Sequence, residues 1–144
     1  MVDKDREKKI IATLANCADF GDPQEHYEKL IQLRKEVETD NDKLSLIKIM
    51  EALGNKDRFI MVDMLREKDR CVCELEAIID KSQGTISRHL KILEDANLIQ
   101  GWKHGKFTHY SLVKPIFDRL LELVSTWVDK TTNWFGTLPA ISET

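Results

Sequence analysis

The sequence predicts a mainly α-helical fold with one small β-hairpin, and three observations carry that prediction. Apolar residues recur at helical spacing through most of the chain. Between Asp80 and Asn97 there follow a turn, a serine suited to capping, and a helix with an unbroken inner stripe. From Leu98 to Leu112 the pattern changes to an extended one around Gly105. Helix, turn, helix and hairpin in that order describe a winged helix-turn-helix.

The stretch from Arg70 to Leu112 organises the rest. After Cys71-Val72-Cys73 a short helix is expected from Leu75 to Ile79, and Asp80-Lys81-Ser82 makes the turn. Ser82 is placed to cap a second helix running from Gln83 to about Ala96. There Ile86, Leu90 and Leu93 fall at i, i+4 and i+7 and face inward, which leaves Thr85, Ser87, Arg88 and Lys91 pointing out. Asn97 suits the left-handed residue that stops a helix. The hairpin turns through Lys103-His104-Gly105-Lys106 and returns with Thr108, Tyr110 and Leu112 on one face.

Before this stretch, Arg6 to Leu14 and Glu25 to Val37 have helical character, broken by Gly21-Asp22-Pro23. Residues 1–43 read as a helical arm, with Thr39 to Lys43 as a polar linker or cap. Leu44 to Leu53 reads as a helix with Leu46, Ile47, Met50 and Leu53 inward, and Asn55 can cap a helix from Asp57 to Leu65 whose core side is Phe59, Ile60, Val62, Met64 and Leu65. The main domain spans residues 44–130. Its last helix, Lys114 to Lys130, has Pro115 in the first turn and an apolar stripe of Ile116, Leu120, Leu123, Val124 and Trp127. Phe117, Leu121 and Val128 widen that stripe beyond what one small domain buries, so a dimer formed through the terminal helices is expected. Residues 131–144, with Trp134, Phe135 and Pro139, form a tail without a reading.

Charge is distributed unevenly. The 144 residues carry a net −3, yet Lys81 to Lys114 hold six Lys and Arg against two acids. An acidic chain thus has one basic block, on the second helix and the hairpin, which is the footprint of a nucleic-acid contact. A major groove admits one helix whose first turns offer donors and acceptors to base edges, while flanking cations hold phosphates. The candidate DNA-facing residues are Ser82, Gln83, Thr85, Ser87, Arg88, His89 and Lys91 on the helix, with Lys103, His104 and Lys106 on the hairpin. A module that uses the winged helix and the long C-terminal helix to bind another protein is the competing class.

Three cysteines, two of them one residue apart, do not make a disulfide framework, so reduced thiols are expected. No apolar run nears the roughly 20 residues that span a bilayer, and Met1 to Lys9 is charged with no apolar segment behind it. An intracellular, cytoplasmic protein without a membrane partner is the expectation. Cys71 and Cys73 stand at a helix entry, where the positive end of the dipole favours thiolates that bind soft ions. Cys17 is the remaining sulfur of that kind. A redox or sulfane-sulfur switch linking Cys17 to one of the pair, and a purely structural role, stay open. An oxidoreductase would need Cys-x-x-Cys in a thioredoxin-like setting, and no nucleophile, base and orienting acid stand together in the sequence. An enzyme is not expected.

Ala52-Leu53-Gly54-Asn55-Lys56-Asp57-Arg58, then Cys71-Val72-Cys73-Glu74-Leu75, then Ser82-Gln83-Gly84-Thr85-Ile86-Ser87-Arg88-His89-Leu90-Lys91-Ile92-Leu93, and a hairpin ending Tyr110-Ser111-Leu112, resemble the ArsR/SmtB family of metal-responsive repressors. The resemblance covers about residues 44 to 127. It implies a homodimeric winged helix that binds double-stranded DNA at an inverted-repeat operator and lets go when an inducer binds. In the branch sensing cadmium and lead, arm thiols join the Cys-x-Cys pair across the dimer. By that similarity Cys17 of one subunit with Cys71 and Cys73 of the other would form a three-sulfur metal site. This chain departs from its relatives in having one arm cysteine rather than two, and Glu76 where the arsenic-sensing branch often has a third. No His follows His109, so the family's zinc site on the last helix has no counterpart. Three thiolates suit a pyramidal trivalent ion better than zinc, which prefers four ligands. Arsenite is the first expectation, with antimony, lead, cadmium and bismuth behind it, and no organic cofactor.

Overall fold

A computed structural model describes residues 3–17 and 21–129. Lys130 and the tail from residue 131 lie outside the described residues. Seven helices and three strands follow in order: α1 (Lys4–Cys17), α2 (Pro23–Thr39), α3 (Asn41–Leu53), α4 (Lys56–Glu67), β1 (Arg70–Cys71), α5 (Val72–Ile79), α6 (Gln83–Asp95), β2 (Ile99–His104), β3 (Phe107–Leu112) and α7 (Lys114–Asp129). They fall into two compact units divided between Leu44 and Ser45. Among the described residues no helix is long and apolar enough to cross a membrane.

In the first unit α1 and α2 lie against each other and bury no residue fully. Asp22 starts α2 by accepting from the Gln24 N–H at 3.1 Å, with Pro23 at the first helical position. Of the linker or cap expected from Thr39 to Lys43, the structure has the cap: only Asp40 separates α2 from α3, and its carboxylate accepts from the Lys43 N–H at 3.1 Å.

The second unit is built around Met61, Leu75, Ile86, Leu93 and Leu98, all fully buried. Asn55 caps α4 as expected, accepting from the Arg58 N–H at 3.1 Å. Two helix faces differ from expectation. On α3 the buried residues are Leu46, Ile49 and Ala52, while Ile47 and Met50 are exposed. On α4 they are Met61, Val62 and Leu65, while Phe59 is exposed and Ile60 and Met64 are half-buried. Both helices are apolar on more than one side, so their period does not choose a face; on α3 the small side chain of Ala52 sits on the core side.

Helix α5 begins at Val72, three residues before the expected Leu75, and ends at Asp80 with φ 55. The inner stripe of α6 is the expected one, and Asn97 has φ 58. The sheet has the order β1-β3-β2. In the hairpin His104 pairs with Phe107 across the two-residue turn Gly105-Lys106, and Gly105 has φ 61, a conformation that side chains resist. The third strand was not foreseen: Arg70 pairs with Tyr110 and Cys71 with His109. Two residues are too few to show a period.

On α7, Leu123 is buried and Ile116, Phe117, Leu120 and Val124 pack on the core, whereas Leu121, Trp127 and Val128 are exposed. The apolar stripe is thus shared between the chain's own core and open surface.

The opposite placement of neighbouring residues on α6 is measurable. Leu93→Ala should cost about 2–5 kcal/mol in urea unfolding, whereas Ile92→Ala, from the exposed side, should stay below about 1 kcal/mol. Gly101→Ala should also destabilise, by about 1–3 kcal/mol, because an added Cβ would lie 3.1 Å from both the Tyr110 ring and the Glu94 carboxylate.

Candidate functional site

Two surfaces gather the chemistry that the sequence singles out: the exposed face of α6 with the hairpin, and the junction of β1 and α5 that carries the paired thiols. Ser82 ends the turn between them and accepts from the Thr85 N–H at 3.3 Å, while the two hydroxyls lie 2.9 Å apart. That bond fixes where α6 starts. With Ile86, Leu90 and Leu93 buried, Gln83, Ser87, Arg88 and Lys91 are exposed, and Thr85 is half-buried. Lys91 forms an open ion pair with Asp95 at 3.5 Å, which costs little to break.

Lys103, His104 and Lys106 are exposed on the hairpin. Behind them the Trp102 ring stacks on His109 at 4.8 Å, meets His104 edge-on at 6.4 Å, and donates its indole N–H to the Ser111 hydroxyl at 2.8 Å. This stiffens the outer face of the wing. On the inner side, a cleft of about 690 Å³ separates hairpin from helices, lined among others by Cys73, Gln83, Ser87, Lys91, Lys106 and Tyr110.

One expected DNA-facing residue is turned the other way. The side chain of His89 is 12% exposed, with Nδ1 3.3 Å from Arg58 Nη1 and Nε2 3.8 Å from the Asp57 carboxylate. Burial, and then the Arg58 cation, hold its imidazole below the ordinary value. The leftover space beside α4 is filled by a polar contact that no period in α6 reveals; the basic residue after Asn55-Lys56-Asp57 was its only trace in the sequence.

The thiols also differ from expectation. Cys71 and Cys73 are joined in a disulfide with their Cα atoms 5.4 Å apart, while Cys17, at the end of α1, is free and exposed. The expected reduced pair is therefore an oxidised one, and the bridge is not the Cys17 link considered for a redox switch. The reason is local: Cys71 ends strand β1 and is the N-cap of α5, which brings side chains i and i+2 onto the same side. Cys71 is buried and Cys73 exposed. Around them Glu74 accepts from the Cys71 N–H at 3.1 Å and from Arg70 Nη1 at 3.2 Å, and these bonds, the backbone one first, keep its carboxyl below the usual range. Arg70 also donates to Met64 O at 3.3 Å and to Glu67 at 3.1 Å, so the turn is clamped to α4.

Among the described residues no cluster of three or more His, Cys, Asp or Glu is assembled to hold a metal ion. Two sulfurs close enough to bond each other are close enough to share one soft ion after reduction, so the donor set fits a thiophilic ion once two electrons are supplied.

A core of helices, a three-stranded sheet with its basic hairpin, and a helix with a polar outer face define a winged helix-turn-helix regulator. The model of the family described as "Bacterial regulatory protein, arsR family" matches residues 55–100. A cadmium resistance transcriptional regulatory protein, a CadC homolog of Staphylococcus aureus, is 30% identical over 98 residues, which cover 67% of this chain and 80% of that one. The chain belongs to the ArsR family of transcriptional regulators, which are not enzymes. It is also similar to the arsenical resistance operon repressor of Escherichia coli K12, 39% identical over 67 residues; the match covers 46% of this chain and 57% of that repressor. A solved structure, that of a possible transcriptional regulator for arsenical resistance, is 27% identical with a TM-score of 0.53, covering 64% of this chain and 97% of that one.

Ser82→Ala should lose about 1 kcal/mol of stability in urea unfolding, and Ser82→Asp should keep it, because either hydroxyl or carboxylate can cap α6. Without reductant, iodoacetamide should label Cys17 alone, and after reduction and unfolding all three cysteines, as read by mass spectrometry.

Proposed function

We propose that this chain is a homodimeric repressor that holds an inverted-repeat operator on double-stranded DNA and releases it when a thiophilic ion binds its thiolates. Trivalent arsenic is the first choice of inducer, ahead of antimony, lead, cadmium and bismuth. The observation that carries this reading is the position of the Cys71–Cys73 pair: Cys71 sits at the start of α5, and Cys73 lines the cleft that α6 and the wing share. A ligand held there acts on the elements that would touch DNA.

In this reading Gln83, Thr85, Ser87 and Arg88 meet base edges from the outer face of α6, with Ser82 and Lys91 at its borders. Lys103, His104 and Lys106 hold the phosphate backbone. His89 acts from within. Ile47 and Met50 on α3, with Leu121, Trp127 and Val128 on α7, leave apolar surface exposed for a second copy.

Cys71 and Cys73, with Cys17 from the arm as third donor, are the ligand set proposed for the inducer. Such an ion would tie α5 of one subunit to the arm of the other. The reduced sulfurs bind it as thiolates, helped by the α5 dipole, and Arg70 with Glu74 holds the turn in place while they do so. Repression is then lost through a coupling free energy between thiol site and DNA site, typically about 1–3 kcal/mol. The similarity to regulators named for arsenical and cadmium resistance supports the choice of ion class. A second reading, thiol redox sensing, is favoured by one observation, the Cys71–Cys73 bridge itself.

Titrating the reduced protein with arsenite while following operator anisotropy and sulfur charge-transfer absorption separates these. Release that saturates with the band near one ion per subunit, and is absent in the Cys71→Ser, Cys73→Ser double variant, is the expected outcome; normal release by that variant would sink the proposal. Release on mild oxidation, with no band, would favour the redox reading. For DNA, Arg88→Ala should weaken operator binding by about 1–3 kcal/mol and random duplex much less, whereas Lys103→Ala or Lys106→Ala should weaken both and flatten the salt dependence.

A further inference from the structure

The helix proposed to read DNA is fastened to the scaffold by a polar junction on its buried side. Arg58 stands in the first turn of α4 and spends its donors on two other helices. Its Nε donates to Ala52 O at 2.7 Å and its Nη2 to Glu51 O at 3.1 Å, both carbonyls in the last turn of α3. Those carbonyls are left without intrahelical partners where a helix ends, and a cation there also meets the negative end of the α3 dipole. The remaining arm, Nη1, reaches His89 Nδ1 at 3.3 Å, in the middle of α6. One guanidinium therefore joins the end of α3, the start of α4 and the centre of α6.

The chemistry of that last contact depends on protonation. A guanidinium can only donate, so Nδ1 must accept, and the imidazole hydrogen belongs on Nε2, which faces Asp57. A proton arriving from solvent at Nδ1 removes the acceptor and sets an imidazolium against Arg58. The charged groups facing His89 are Arg58 and Asp57 from α4, Arg88 from its own helix and Lys81 from the turn; three of the four are cations.

We infer that Arg58 and His89 are positioning residues for DNA recognition, fastening the reading helix to the end of α3 only while His89 is neutral. This rests on α6 being the reading helix, as proposed above. Acidification then loosens α6 and lowers sequence discrimination. The sign follows from the lowered imidazole pKa: the unfastened form takes up a proton more readily than the fastened one. The fastening is thus complete above the ordinary imidazole value of about 6.5 and is lost as pH falls through the lower value that His89 has when fastened. Added positive charge alone would act in the opposite direction, tightening the grip on any duplex as pH falls.

The test uses the full chain and two probes, a duplex carrying the DNA upstream of the chain's own gene and a random duplex of equal length. His89→Asn keeps an acceptor near the Nδ1 position and cannot titrate; Arg58→Lys keeps the charge but gathers its donors on one nitrogen, which cannot span acceptors on α3 and α6 together. The ratio of specific to random affinity should fall about fivefold from about pH 8 to about pH 5.5 in the parent and stay level in His89→Asn. In Arg58→Lys it should already be low at the higher pH, with thermal unfolding confirming that each variant is folded. Side-chain nitrogen NMR of His89 should find the hydrogen on Nε2 in the parent and lose that preference in Arg58→Lys. Parallel pH profiles for parent and His89→Asn, or a hydrogen on Nδ1, would overturn the inference. If no duplex is preferred at any pH, the repressor reading fails and the DNA role of this junction with it, while the NMR result still shows whether the fastening itself exists.

Discussion

Burying one stripe of α6 is the constraint on which the rest of the second unit depends. Ile86 and Leu93 are fully buried and Leu90 nearly so, and they meet Met61, Leu75 and Leu98 in one core. Each of these side chains contributes a few kcal/mol by leaving water, and together they decide which way the helix faces. Once the stripe is inside, Ser87, Arg88 and Lys91 between and beside its members point out, while His89 turns in to Arg58. The turns on either side serve the same end. Ser82 starts the helix where the stripe begins, and Asn97 lets the chain reverse so that Leu98 and Ile99 reach the core before the hairpin departs. The bond from Val113 N to Leu98 O then returns β3 to the base of the wing, from which α7 begins.

Two arginines tie this apolar framework to the sites around it. Arg58 joins the end of α3 to α6, and Arg70 joins α4 to the turn that presents Cys71. Both put a planar cation with donors on three nitrogens where helix ends leave polar groups in need of partners, a span that the single nitrogen of a lysine does not cover. Helices α3, α4, α5 and α6 are thereby linked by directional bonds as well as by packing. A change at the thiols or at the surface of α3 reaches α6 through few intermediates.

The redox state of the cysteine pair belongs to the same picture. The strand-to-helix transition at Cys71 brings the two sulfurs together whatever they bind. Oxidised, they close on each other; reduced, they offer two donors to a soft ion at the positive end of α5. The same geometry suits both the proposed metal sensing and the alternative of redox sensing. Oxidation state and the third donor separate the two.

The sequence by itself determined the features that depend on near neighbours along the chain. The period of α6, its capping serine, the left-handed Asn97, the wing and its Gly105 turn, and the cap at Asn55 each rest on interactions within a few residues, so each was legible. So was the basic block and the placement of the thiols beside α6. Only the tertiary structure decided which face of α3 and α4 turns inward, because both are apolar on several sides and the choice belongs to the surfaces they meet. It also decided that two residues at Arg70 and Cys71 become a strand, since β3 supplies the pairing. His89 is the clearest case among the site residues: its partner Arg58 lies 31 residues away, so nothing local distinguishes an inward histidine from its outward neighbour Arg88.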